Sequence, residues 1–315
     1  SSSRRSCGAP SLISAATYHL PRADVGGFVY GRMSMPTWDE VEAQLGVLEG
    51  AACVSFPSGM AAISAALMAT LVPGKRVVLP SDGYYTTRLF ADRFLRPMGV
   101  AVDYVPTLAV AEADFAGAGV VYVETPSNPG LEVCDIRAVV ARAHAAGAVV
   151  IVDNTTLTPV LQRPLDLGAD VGVAADTKAP GGHSDVLFGH VASRDAAVID
   201  RVRDWRKLSG AVPGAFEAWL VHRGIETLEV RMARMCASAQ VIAERLAAHP
   251  KVVSLRYPGL PGDPSHAVMA GQASGFGFLI AMVLADAATA VRFLGLCPFR
   301  ARATSCGSTA CGGGR

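Results

Sequence analysis

One lysine stands out in a chain that draws its positive charge from arginine. Lys75, Lys178, Lys207 and Lys251 are the only lysines among 28 basic residues. Lys178 lies in Asp176-Thr177-Lys178-Ala179-Pro180-Gly181-Gly182-His183, after the apolar run Val171-Gly172-Val173-Ala174-Ala175 and before a glycine-rich bend. The run reads as the end of a buried strand. An amine held there is partly desolvated, which favours its neutral form and makes it a nucleophile or a Schiff-base former. The plainer reading is a lysine that snorkels to the surface from a strand end. Its company in the sequence decides between the two.

Other strings carry matching chemistry. Pro57-Ser58-Gly59-Met60 stands between a short apolar strand, 52–56, and a helical run through Leu71. A serine-glycine pair there presents backbone amides at the positive end of a helix dipole, a seat for phosphate, with an ordinary serine cap as the plain alternative. Asp82-Gly83-Tyr84-Tyr85, Glu124-Thr125-Pro126-Ser127-Asn128-Pro129 and Asp153-Asn154-Thr155 each follow an apolar strand. Tyr30-Gly31-Arg32 sets a phenol and a guanidinium on one side of an extended chain, a pair suited to an anion. Pyridoxal phosphate needs a lysine, an acid against its pyridine nitrogen, a stacking ring and a phosphate cup. All four are present: Lys178; Asp153; Tyr84; and the amides of Gly59 and Met60 with Tyr30 and Arg32. Asn128 is placed to hydrogen-bond the phenolic oxygen of the ring.

The elements that must position these groups alternate. Strands are expected at 76–79, 100–105, 119–124 and 148–153, with helices at 86–94 and 136–146 between them. The unalternating run Val149-Val150-Ile151-Val152 marks a strand covered on both faces, hence an α/β fold with a mostly parallel sheet. Ligands of such sheets sit beyond the carboxyl ends of the strands, where these polar strings lie. Thr37-Trp38-Asp39-Glu40 reads as a capping box opening a helix that ends at Gly50. Beyond Val186 the pattern changes to long helices, 196–208 and 215–248 with a pause near Gly224. Strands at 252–257 and 275–283 and a helix at 287–296 follow, which predicts a smaller C-terminal α/β domain. The division expected is an arm, 1–35, anchored by aromatic residues on a neighbouring subunit; a large cofactor-binding domain, 36–228; and a smaller domain, 229–315.

Composition narrows the partners. With 315 residues, 51% hydrophobic and 17% charged, the chain can bury a large core. A net charge of +1 recruits neither nucleic acid nor an anionic membrane through bulk charge. No apolar run reaches bilayer length and the first residues do not lead into a signal-peptide core, so the cytoplasm is expected. The seven cysteines show no paired metal-ligand spacing; all are read as reduced thiols and no metal is expected.

Five strings in order carry a resemblance: Tyr30-Gly31-Arg32…Pro36-Thr37, Ser58-Gly59-Met60-Ala61-Ala62, Glu124-Thr125-Pro126-Ser127-Asn128-Pro129, Asp153-Asn154-Thr155 and Thr177-Lys178…Gly182-His183-Ser184-Asp185. Together the chain resembles the Cys/Met-metabolism family of pyridoxal-phosphate enzymes, from about Ala15 to Arg302. That family includes cystathionine γ-synthase, cystathionine γ- and β-lyases and methionine γ-lyase. The resemblance implies an aminotransferase-like subunit of fold type I in a homotetramer of close dimers, with Tyr30 and Arg32 reaching the neighbouring subunit's phosphate. It implies that Lys178 carries the cofactor and moves protons, that Tyr84 protonates the leaving thiolate, and that Thr177 belongs to the cofactor site. Ser305 and Glu124 are the implied substrate contacts. The implied activity is a carbon-sulfur lyase of sulfur amino acid metabolism, cystathionine γ-lyase-like, acting on a cysteine or homocysteine thioether in transsulfuration. Alternatives are a γ-replacement synthase, a methionine γ-lyase, a β C-S lyase of secondary metabolism, and a non-catalytic oligomeric relative.

The chain departs from the family in places. Met35 replaces the usual asparagine, and Ala175 replaces a serine that contacts phosphate. Thr86 stands where methionine γ-lyases carry cysteine, and Thr304 where γ-lyases often carry glutamate. The family segment supplying the arginine for the substrate α-carboxylate finds no counterpart in 309–315.

Overall fold

A computed structural model describes residues 11–18 and 27–296. Helix α1 (Pro36–Glu49) leads into strand β1 (Ala52–Phe56), then α2 (Gly59–Thr70), β2 (Arg76–Pro80) and α3 (Tyr85–Phe90). A wider helical turn, Ala91–Leu95, and a tighter one, Arg96–Met98, follow before β3 (Val102–Val105) and β4 (Ala118–Glu124). Next come α4 (Ile136–Ala145), β5 (Val149–Asp153), the single turn α5 (Thr158–Leu161), β6 (Val171–Ala174) and β7 (Gly189–Ser193). The long helices α6 (Ala196–Ser209), α7 (Ala215–Ile225) and α8 (Leu228–Ala247) lead to β8 (Val252–Arg256), α9 (His266–Gln272), β9 (Ala281–Leu284) and α10 (Ala287–Leu296).

The seven-stranded sheet has the order β1-β7-β6-β5-β4-β2-β3. Its pairs are parallel from β6 through β3, while β7 runs antiparallel to both β6 and β1. Two reversals return β1 to the direction of β6. The carboxyl ends of β1, β2, β4, β5 and β6 therefore lie along one edge.

Alternate residues of the central strands feed two cores. Val121, Val123, Val150 and Val152 pack with Trp38, Val41 and Leu45 of α1 and with Ile136 and Val139 of α4. Val120, Tyr122, Ile151, Val171 and Val173 pack with Ala62, Ile63 and Ala66 of α2 and Val198, Ile199 and Val202 of α6. Each fully buried Val, Leu or Ile contributes roughly 1.5–3 kcal/mol. Burial on both faces is why these strands read as continuous Val/Ile runs.

Several sequence expectations need correction. Helix α1 starts at Pro36 with Met35 as N-cap, and Met35 makes no side-chain capping bond. Proline with its preset φ opens the helix two residues early, and the Thr37 hydroxyl serves the arm instead. Its Oγ1 donates to the Ile13 carbonyl at 2.9 Å and accepts from the Ile13 amide at 3.0 Å. The strand expected over 275–283 contracts to β9, which pairs antiparallel with β8 in a separate two-stranded sheet. The 215–248 pattern is two helices, α7 and α8. Strand β7 was not expected at all, because Gly189-His190-Val191-Ala192-Ser193 has only two apolar β-branched or alanine positions between polar and glycine flanks.

Candidate active site

Strand register brings the polar groups together. Glu124 and Asp153, the last residues of β4 and β5, are direct neighbours, and Asp153 lies opposite Val173 of β6. Four residues beyond the end of β6 the chain reaches Lys178, inside a run of turns. Tyr84 follows β2 and caps α3, and Gly59 opens α2 directly after β1. The edge that topology selects is the edge that carries the chemistry.

Asp153 is 6% exposed. Its Oδ2 accepts from the Tyr122 hydroxyl at 2.8 Å, and its Oδ1 accepts from the Thr155 amide at 3.0 Å and the Thr155 hydroxyl at 2.6 Å. Burial raises the Asp153 pKa, against the bonds from Thr155 and Tyr122 and the charge of Lys178, which favour the carboxylate. The Thr155 hydroxyl also accepts from the Ala175 amide at 2.9 Å, so the end of β5 is tied to the chain that leads to Lys178.

The start of α2, expected as the phosphate seat, is built by close approach. A Cβ at Gly59 would stand 2.5 Å from the Ala175 Cβ, so only glycine lets the start of α2 pack against this chain. Ser58 caps α2 by accepting from the Ala61 amide at 3.1 Å. The first-turn amides of Gly59 and Met60 have no carbonyl within the helix to serve, and the helix dipole gives them an anion preference. A buried acid on one strand end, a lysine acting on it from the next, and a helix N-terminus against the same segment fit pyridoxal phosphate.

Glu124, expected at the substrate, has another task. It is 4% exposed; its Oε2 accepts from the Tyr84 amide at 2.6 Å and its Oε1 from the Asn128 amide at 2.8 Å. Both oxygens are taken up by the two loops that flank the cofactor seat. Burial and the Asp153 charge push its pKa up, and the two amides partly offset this. Thr177 is likewise occupied. Its only hydroxyl proton goes to the Phe188 carbonyl at 3.1 Å while the Phe188 amide donates back at 3.0 Å, so the residue expected to serve the cofactor instead pins the turn to the chain entering β7. Asn128, whose amide is held by Glu124, is exposed.

Tyr30 and Arg32 are not gathered into this cluster. The Arg32 guanidinium lies over the Tyr30 ring at 5.4 Å and donates to the Lys207 carbonyl of α6 at 2.6 Å. No hydrogen bond among the described residues joins either to Gly59 or Met60. Ser305 lies outside the described residues. Arg231 of α8 carried no expectation. It donates to the Ala179 carbonyl at 2.6 Å, to Gly224 O at 2.7 Å and to Pro180 O at 3.4 Å, clamping the chain just past Lys178. Gly182, in the left-handed region at φ 73°, has no room for a Cβ beside that guanidinium. An arginine in a helical pattern gives no sign in sequence of such a reach. No group of three or more His, Cys, Asp or Glu side chains among the described residues is arranged to hold a metal ion, and no described helix is long and apolar enough to cross a membrane.

Comparison with known proteins gives a consistent result. The family described as Cys/Met metabolism PLP-dependent enzyme matches residues 2–311. A Streptomyces coelicolor protein provisionally named cystathionine gamma-lyase is 47% identical over 291 residues, covering 90% of this chain and 74% of that protein. The cystathionine gamma-synthase of Mycobacterium bovis is 42% identical over 264 residues, 82% of this chain and 67% of that one. Among solved structures, apo CalE6, a methionine gamma lyase from Micromonospora echinospora, superposes with a TM-score of 0.90 at 40% identity over 96% of this chain and 82% of that chain.

Proposed function

We propose, from the premise that this chain belongs to the Cys/Met metabolism PLP-dependent enzyme family and is a carbon-sulfur enzyme using pyridoxal phosphate, that its reaction is γ-elimination at the L-homocysteine half of a cysteine/homocysteine thioether such as cystathionine. The products are a thiol, a 2-oxo acid and ammonia. The buried Asp153 carboxylate, on which the charge of Lys178 acts, supports the cofactor chemistry, and the similarity to a protein provisionally named cystathionine gamma-lyase supports γ-elimination.

When bound, pyridoxal phosphate draws electrons away from the substrate α-carbon. Asp153 would accept a hydrogen bond from the ring N–H, and Tyr122 and Thr155 hold its carboxylate in place. The amides of Gly59 and Met60 hold the phosphate; Ala175 supplies no hydroxyl to it, so the helix N-terminus carries more of the binding. The Lys178 amine would take the proton from the α-carbon and then one from the β-carbon, whose electron pair expels the sulfur from the γ-carbon. Tyr84, fixed by the Glu124 carboxylate under its amide, stacks on the ring and gives its hydroxyl proton to the departing sulfur. The Asn128 side chain would serve the phenolic oxygen.

In the same reading the arm, 1–35, carries Tyr30 and Arg32 to the phosphate of a neighbouring subunit in a homotetramer. The large domain, 36–228, would hold the cofactor, and 229–315 forms the smaller C-terminal domain. Exposed Tyr85, Phe94, Met98, Leu187 and Phe216 support such association. The enzyme is assigned to the cytoplasm, where Cys53, Cys134 and Cys236, free in the structure, remain thiols.

The test is to load the protein with pyridoxal phosphate and incubate it with cystathionine, methionine, cysteine and O-acylated homoserines. Release of 2-oxobutyrate from cystathionine supports γ-elimination. Pyruvate in its place means β-elimination. Cystathionine formed from an O-acylhomoserine and cysteine, without an oxo acid, means γ-replacement, the second reading, which the similarity to a cystathionine gamma-synthase favours.

A further inference from the structure

A second group of ionisable side chains lies inside the protein behind the Lys178 turn. His190 of β7 is 1% exposed, Asp176 0% and Glu49, the last residue of α1, 2%. The His190 Nδ1 lies 2.9 and 3.0 Å from the two Asp176 oxygens, and its Nε2 lies 3.1 Å from Glu49 Oε1. Both ring nitrogens thus face carboxylates. A neutral imidazole carries one N–H and would leave one nitrogen lone pair against a carboxylate; with both acids ionised, the imidazolium satisfies both. Burial by itself lowers the His190 pKa, but the Asp176 charge and the bonds to Asp176 and Glu49 outweigh it and push the value to about 10. Cys53 of β1 faces the same cluster: burial and then the Glu49, Asp176 and Glu42 charges push its thiol well up. Glu49 Oε2 is buried without a hydrogen-bond partner and points toward Gly172 of β6, where a Cβ would stand 3.8 Å away.

The cluster meets the active site at one residue. The Asp176 carbonyl accepts from the Gly181 amide at 2.8 Å, which closes a turn with Lys178 inside it. Within that turn the Lys178 amide donates to Ala175 O at 3.2 Å, and Lys178 O accepts from the Gly182 amide at 2.8 Å. Asp176 therefore closes the turn with its backbone and roots it with its carboxylate. The root is rigid, because His190 pairs with Ala174 of β6 on one side and Ser55 of β1 on the other, and Glu49 belongs to a third element. A carboxylate with no protein partner at this depth would be strongly disfavoured.

We propose that Glu49, His190 and Asp176 form a buried charge chain whose role is to position Lys178, with Asp176 as the positioning residue at the foot of its turn. The inference rests on the function proposed for Lys178. Misplacing a reacting group by about 1 Å costs up to roughly 10²-fold in rate. The carboxylate of Asp176 roots the turn that carries Lys178, so loss of the chain is expected to lower kcat more than it changes substrate KM.

The test uses Asp176→Asn, His190→Gln and Glu49→Gln with two readouts. In the protein without cofactor, brief acetylation by acetic anhydride across pH, read by peptide mass spectrometry, gives the reactivity of Lys178 relative to Lys75, Lys207 and Lys251. In the protein loaded with pyridoxal phosphate, the borohydride-sensitive visible absorbance and the kcat and KM for cystathionine are followed. Asp176→Asn is expected to change the relative Lys178 reactivity by about threefold or more and to lower kcat about 10- to 100-fold with KM within about twofold. Glu49→Gln, a one-atom change at the far end, is expected to do the same to a smaller extent. It provides the comparison if Asp176→Asn does not fold. Wild-type Lys178 reactivity and kcat in any two folded variants would overturn the proposal. A wild-type protein that takes up no borohydride-sensitive cofactor refutes the functional reading instead, and the acetylation ratio still decides the role of the charge chain.

Discussion

The Lys178 turn and the Tyr30–Arg32 arm are both short polar strings that the sequence associates with one cofactor, and the fold treats them in opposite ways. The turn is held from three directions: Asp176 on His190, Thr177 on Phe188, and the Ala179 and Pro180 carbonyls on Arg231. Its anchors are buried or half-buried and come from β7, the chain before it and α8. The arm lies outside the sheet, with Tyr30 40% exposed, and is tied by Arg32 to one carbonyl and by Thr37 to Ile13. Residue type thus announces what a group can do, whereas the number of independent buried anchors fixes how far its geometry is organised in advance.

Breaking the turn should have the largest effects. Lys178→Ala is expected to lower kcat by at least about 10³-fold, since the same amine holds the cofactor and moves the proton. A borohydride-sensitive visible band surviving in that variant would show that another lysine does this work. Asp153→Asn follows, with kcat falling about 10²-fold through loss of the charge opposite the ring nitrogen. Steady-state kinetics check it, and a variant within twofold of wild type would remove Asp153 from the site.

Gly59→Ala probes the packed junction itself. It places a methyl group 2.5 Å from the Ala175 Cβ, so unfolding measurements should show a loss of about 1–3 kcal/mol together with weaker cofactor retention. Unchanged stability would mean that α2 can retreat from the turn at little cost.

Beneath the turn, His190 makes stability depend on pH. Its folded pKa of about 10 lies above the ordinary 6.5, so its contribution is fully present below pH 6.5 and disappears as pH rises through 10. Thermal melting should fall over that window in wild type and less steeply in His190→Gln. Parallel melting curves for the two proteins would contradict the charged chain.

Arg32→Ala should have the smallest effect. The exposed arm predicts an unchanged melting temperature with cofactor half-saturation weakened about tenfold, the loss of one charge-assisted hydrogen bond. A large fall in melting temperature would mean that the arm is as deeply anchored as the turn.

Much of this was legible because the signals are local. Unbroken Val/Ile runs announce strands buried on both faces, and a serine-glycine pair before a helix announces a capped N-terminus. Residues that depend on a distant partner were misread or passed over. Thr37 fits a capping box by spacing, yet Pro36 starts the helix before it. Glu124 and Thr177 have the types expected of ligand contacts, yet both are taken up by backbone groups that only the fold brings near. Tyr122, Arg231 and His190 lie in stretches with no motif, and each acts on a residue at least 14 positions away.

The sequence by itself determined the chemistry and the edge where it occurs, because a lysine, an aspartate, a tyrosine and a helix start each follow a strand, and parallel strands end on one side. Only the tertiary structure decided which side chains touch the reaction and which hold others in place. That distinction depends on burial and on partners remote in the chain, since a carboxylate in the interior must be matched by whatever donor the packing delivers.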